Sequence, residues 1–295
     1  MDELKKRWKI EYCREWYNYI LEHNQRWDYR RLSKNPNITW DIVKNNPDRP
    51  WCYRTLSKNP NITWDIIENN RDINWDFRYV SQNQNISWKI VLSNLHENWD
   101  YRRLSKNPNI TWDIVEDNPD KRWNFKTLSK NPNITWEIVK NNPCRPWSYE
   151  NLSKNVNITW EIYQNNIDKP WSLKNFCLNP SIDYNTLKNY PSNPYNYFTT
   201  GGNPNLKWEY VKNTVNKPWD YVYVSKNPNI TWEIVEENKF RPWYYTYMSK
   251  NPMTKRYREY LENRLQIYRN MVKILLKHTV LNEDTIEEVV NKIII

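Results

Sequence analysis

The stretch WDYRRLSKNPNITWDIVKNNPDRP, residues 27–50, returns down the chain every 24 residues without insertion or deletion. Trp27 comes back as Trp51, Trp75, Trp99, Trp123, Trp147 and Trp171; Tyr195 stands in the next slot, and Trp219 and Trp243 complete ten copies. A fixed period in this range leaves little choice of architecture. A unit so short cannot bury its own apolar face, so it has to stack on its neighbours. The expected fold class is all-α: an α-solenoid of about ten 24-residue two-helix repeats over 27–253. An N-terminal helical cap (1–26) and a C-terminal helical cap (254–295) are expected at its ends. Copies seven and eight (171–218) are degenerate, and the last copy is incomplete.

Counting from the repeat's Trp as position zero, position one is Asp28, Asp76, Asp100, Asn124, Ser148, Ser172, Asn196 or Asp220 in eight copies. Such side chains accept the free N–H groups that open a helix. The spacing predicts a first helix from about Tyr29 to Lys34, stopped at Asn35-Pro36 because a residue before proline is pushed out of the α region. The same grammar then repeats: Ile38 is apolar, Thr39 caps, and a second helix runs from Trp40 to about Asn46. Acids in its first turn, such as Asp41 and Glu137, are read as partners of the helix dipole. The NIT and NIS sequons belong to this helix entry, and are read so rather than as glycosylation sites.

Helices this short are marginal alone in water and depend on the stack. Layers about 8–10 Å apart predict a rod or superhelix about 100 Å long. Trp16 lies one period before Trp40, so residues 12–26 read as a surviving second helix, with Trp8 in a helix covering the open end. Beyond the repeats, Leu261, Leu265, Tyr268, Val272 and Leu276 form a helical apolar stripe, and Ile286, Val289, Val290 and Ile293 a second one. These C-terminal helices are read as the cap, with homo-oligomer formation through them as the sharper alternative.

The chemistry of the chain is sparse. His23, His96 and His278 have no ligand spacing, and Cys13, Cys52, Cys144 and Cys177 no CxxC pattern. No phosphate-binding glycine loop, GxSxG or HExxH occurs. The only glycines are Gly201 and Gly202, read as a distorted turn. The expectation is a non-enzymatic protein without cofactor or metal. No apolar run reaches membrane-spanning length, and the N-terminus lacks a signal-peptide core, so a chain that is not secreted is expected.

The net charge of +10 favours an acidic partner. Two recurring features could meet one. The first is a basic ridge: position three is Arg30, Arg54, Arg78, Arg102 and Lys126, and position seven is Lys34, Lys58, Lys106, Lys130 and Lys154. These positions are i,i+4 neighbours on one helix face. Stacking aligns them into a row that could track a nucleic-acid backbone, with exposed aromatics stacking on bases. The competing reading is a solvated outer face. The second feature is an Asn at position eight in every copy, including Asn35, Asn59, Asn83, Asn107, Asn131 and Asn155. It could form a ladder gripping an extended peptide, or simply close the first helix and orient the NPN turn. The periodic Trp residues are read as core, the second-helix ones more firmly than the first-helix ones.

The unit LSKNPNITWDIVKNNPDRPW resembles the Trp-rich repeat proteins of giant amoeba-infecting DNA viruses of the mimivirus type, over roughly residues 27–252. The resemblance implies a viral protein acting in the host cytoplasm, viral factory or virion. It brings no activity and no functional residues. The leading expectation is a repeat scaffold binding a viral or host protein through an extended face. The alternatives are an RNA- or DNA-binding solenoid using the basic ridge, and a virion structural or self-assembling protein.

Overall fold

The computed structural model describes residues 2–22, 27–183, 185–186, 199–249 and 251–276. Every regular element among them is helical. Copies one to six and copy nine carry two helices each, and both are shorter than the sequence spacing predicts. In copy one they are Tyr29–Leu32 and Trp40–Lys44. The Asp28 side chain accepts from Arg31 N, and Thr39 from Ile42 N. Ser33 closes the first helix, and its hydroxyl is shared between that helix and the next layer. It donates to Tyr29 O at 2.7 Å and accepts the N–H of Cys52, in the next copy, at 2.9 Å.

The core runs continuously from layer to layer. Leu32, Ile38 and Val43 are buried in copy one, and their counterparts Leu104, Ile110 and Val115 in copy four. The Trp lattice lies at its margin. Trp112 and Trp75 are 8% and 6% exposed, but most of the other indoles are only half-buried. A second-helix Trp meets the first-helix Trp two copies on, as in Trp40–Trp75 at 5.8 Å and Trp112–Trp147 at 5.7 Å between ring centroids. The first-helix Trp is tied down too. Trp51 Nε1 donates to Asn46 O at 2.8 Å, and the same bond recurs at Trp75, Trp99, Trp123, Trp147, Trp171 and Trp243.

The stack is not the expected rod: copy ten stacks on copy one. Within the row, Asn59 Nδ2 donates to Ser33 O at 2.8 Å and Asn35 O at 3.0 Å, 26 and 24 residues back. At the ends, Asn35 Nδ2 donates to Ser249 O at 2.9 Å and Asn251 O at 3.2 Å. Counted round ten copies of 24 residues, this donor also reaches 26 and 24 residues back. Asp28 N likewise donates to Ser249 Oγ at 3.2 Å, as Cys52 N does to Ser33 Oγ. Trp232 meets Trp27 at 5.4 Å, the seam equivalent of Trp40–Trp75. The repeats therefore close into a ring of ten layers.

Closure also changes the role of the ends. They do not cover two open faces of a rod but meet at one seam. The N-terminal helix, Asp2–Glu22, packs against the C-terminal helix, Thr254–Leu276. Trp8 meets Tyr268 at 6.3 Å, Tyr12 meets Tyr257 at 5.0 Å, and Lys9 Nζ lies 4.0 Å above the Tyr257 ring while donating to Asn37 Oδ1 at 3.1 Å. Copy ten contributes only a first helix, Tyr245–Met248. Its missing second helix is supplied by the N-terminal helix. The lattice spacing would put Trp16 against Trp51, but the ring that arrives there is Tyr17, at 5.9 Å. Trp16 is turned into the core instead, 2% exposed. Where the chain leaves the repeat, Met253 adopts φ +48°, left-handed backbone uncommon for a side-chain-bearing residue.

In copy eight the described residues of the first half carry a 3₁₀ turn, Thr200–Gly202. Gly201 occupies the slot that serine fills in eight copies and Cys177 in copy seven. A Cβ there would lie 2.8 Å from Val224 Cγ2, so glycine permits the close approach of copy nine. The expected final helix with Ile286, Val289, Val290 and Ile293, and oligomer formation through it, lie outside the described residues.

Candidate functional site

The two recurring features of the sequence have opposite fates. Asn35, Asn59, Asn83, Asn107, Asn131 and Asn155 are at most 1% exposed. Each amide is spent on the preceding layer: Asn131 Nδ2 reaches Ser105 O at 3.2 Å, Asn107 O at 3.0 Å and Ile110 O at 3.2 Å. Its Oδ1 accepts from Asn133 N at 2.9 Å. Reading this Asn row as a peptide-gripping ladder is therefore corrected. A ladder exists, but its partner is the chain's own backbone. The sequon asparagines join it, since Asn61 Nδ2 donates to Pro36 O and Ile38 O, both at 2.8 Å.

The basic row remains outward. Arg30, Arg54, Arg78, Arg102 and Lys126 are exposed, as are Lys106 and Lys130; Lys34, Lys58 and Lys154 are half-buried. The Asn ladder fixes position eight of adjacent layers in register, so the position-seven lysines beside it stand one above another. Burial, and then the Lys106 and Lys126 ammoniums with Glu150 opposing, hold Lys130 below the ordinary lysine range. Burial, Lys130 and Lys174 do the same for Lys154, again against Glu150. Lys174, at position three of copy seven, extends the row beyond its expected end.

Unpaired cations occur both on the row and off it, since Lys44, Lys89 and Arg122 also have no carboxylate within ion-pair distance among the described residues. Other lysines off the row sit on carboxylates: Lys121 on Asp120 at 2.8 Å, Lys140 on Glu137 at 2.8 Å and Lys169 on Asp168 at 2.7 Å. Within the row, Arg54 and Arg78 share Asp76, at 3.2 and 2.9 Å. With Trp75 and Phe77 they line an open cleft of about 480 Å³. Arg30, Arg102, Lys106, Lys126, Lys130 and Lys154 have no carboxylate within ion-pair distance among the described residues.

The aromatics beside the row are not free platforms. Tyr79, at position four, lies between Lys58 Nζ at 5.2 Å and Arg103 at 4.6 Å from its centroid, with Arg54 also at 5.2 Å. Seven periods on, across the seam, Tyr247 lies between Lys226 at 4.1 Å and Arg31 at 4.3 Å. Such contacts order the cations, and they occupy the rings expected to stack on bases. The sequence reading missed these sandwiches because position four varies from copy to copy, and only a three-layer view brings a position-seven lysine, a tyrosine and an arginine together.

No cluster of His, Cys, Asp and Glu that could hold a metal occurs among the described residues. No helix among them is long and apolar enough to cross a membrane. The four cysteines are free. No family model, curated protein or solved structure matches this chain.

Proposed function

We propose that the ring is a non-catalytic binding module for single-stranded nucleic acid, held through its phosphates by the basic row. The observation that carries this reading is that Arg102, Lys106, Lys126, Lys130 and Lys154, with Glu150 among them but no carboxylate at ion-pair distance, are gathered along one face in the register of a buried ladder. Like charges in register raise the energy of the free protein, and a polyanion relieves that while releasing counterions. Occupied tyrosines favour backbone contact over base reading, so weak sequence preference is expected.

The test is titration of a labelled oligothymidine across a salt series. Each phosphate contact contributes about −0.7 to the slope of log K against log salt for a single strand. Lys106→Gln, Lys130→Gln and Lys154→Gln together should flatten that slope by about 2 while leaving the melting temperature nearly unchanged. Absence of binding at low salt would end this reading.

The protein-scaffold reading keeps one observation of its own. The loops after the second helices present Leu95, Ile167, Val215 and Phe240, 63%, 66%, 58% and 93% exposed. Binding of a protein partner that Leu95→Ser with Phe240→Ser abolishes, and that the lysine variant leaves intact, would favour it.

A further inference from the structure

Closure raises the question of which face of the layers lies nearest the ring axis, and the contacts between layers answer it. The first half of each repeat meets its neighbour through hydrogen bonds. Cys52 N reaches Ser33 Oγ at 2.9 Å, Thr55 Oγ1 reaches Arg30 O at 2.8 Å, and Asn59 Nδ2 reaches Asn35 O at 3.0 Å. Among the described second helices of copies one to six no hydrogen bond passes from one to the next, and the indoles of copies one to five reach instead the Trp that opens the repeat two copies on, as Trp136 does Trp171 at 5.8 Å. In a closed ring the arc between layers grows with radius. The half joined by direct hydrogen bonds must lie inside, and the half without them outside.

The first helices therefore line the opening. Leu32, Leu104 and Leu128 at position five are fully buried toward the second helices. Position three leaves the opposite side of the same short helix, which is the side facing the axis, and position seven follows in the turn just after it. Ten helices about 8–10 Å apart define a circle about 13–16 Å in radius. Subtracting a helix radius of about 5–6 Å leaves an opening about 15–20 Å across, narrowed further by the lysine and arginine side chains. That passes an extended single strand and is too narrow for a double helix.

We infer that a linear single-stranded nucleic acid threads the ring and is held in the opening by the basic row. This rests on the nucleic-acid reading above and deepens it by assigning the path of the strand. The row is basic from Arg30 to Lys174, broken by Gln82 at position seven and Glu150 at position three, and beyond Leu178 and Gly202 it keeps charge only at position seven, as Lys226 and Lys250, while position three is Val222 and Thr246. A threaded strand would lie against one side of the opening, on copies one to seven.

The intact protein is titrated with linear oligothymidine, with the same strand blocked at both ends by bound streptavidin, and with a covalently closed circle of the same length and sequence. Threading predicts that the linear strand binds at least about tenfold more tightly than the circle or the blocked strand. It also predicts that blocking both ends after binding slows dissociation. Equal binding of linear and circular strands would overturn threading while leaving the nucleic-acid reading in place. No binding of any strand at low salt would overturn both.

Discussion

Asn131→Ala is expected to destabilise the ring by about 3–5 kcal/mol in urea unfolding, more than a typical surface change by an order of magnitude. Asn131 is fully buried, and its amide serves three carbonyls of the preceding layer, Ser105 O, Asn107 O and Ile110 O. Truncation strips those carbonyls of a donor, removes the acceptor of Asn133 N, and leaves a gap that water does not reach. Unsatisfied buried groups cost about 1–3 kcal/mol each, and Asn107 O keeps a second donor in Ile110 N. Asn131→Asp should be worse at neutral pH, since it turns a carboxylate toward those carbonyls. A cost below about 1 kcal/mol for the alanine variant would mean that the ladder is not what holds the layers in register.

Removal of residues 1–26 is expected to open the seam. The N-terminal helix buries Trp8, Tyr12, Cys13, Trp16, Tyr17 and Ile20. At about 1.5–3 kcal/mol for each large apolar side chain, its contribution is on the order of 10 kcal/mol, comparable with the whole stability of an ordinary domain. The truncated protein should bind hydrophobic dyes, have a larger hydrodynamic radius and melt well below the full chain. A peptide of residues 1–26 added in trans should reverse these changes. A truncated protein with the radius and melting temperature of the full chain would contradict the role given to this helix.

What could be read from the residues, and what could not, divides along the range of the interactions. Caps such as Asp28 and Thr39 act within three residues, so the repeat's two helices and their order were legible. Ser33 was read as helix interior because its second partner, Cys52 N, belongs to the next layer. Asn35 could be read two ways for the same reason, since a residue that recurs in every layer looks alike whether it faces a ligand or the previous copy. Closure was the least legible feature. A tenth of a turn per layer is a small angle spread over many contacts, and no single repeat records it. One clue was present: copy ten ends after its first helix, while residues 12–26 carry a second helix without a first. Two incomplete copies at opposite ends of a chain are what a ring needs at its seam. The basic row was legible as a periodic pattern, but its side of the ring followed only from seeing which half of each layer is hydrogen-bonded to the next.

Closure into a ten-layer ring is the claim on which the rest depends, and a distance across the seam tests it. Arg30 in copy one and Thr246 in copy ten are equivalent exposed positions, as is Arg54 in copy two. Spin labels placed by Arg30→Cys with Thr246→Cys, in a background lacking Cys52 and Cys144, report the seam by pulsed electron resonance, and Arg30→Cys with Arg54→Cys reports one ordinary layer. The ring predicts the same short separation for both pairs, about one layer spacing of 8–10 Å between helices plus the label arms. A rod predicts nine layer spacings for the first pair, about 70–90 Å, and that result would contradict the ring.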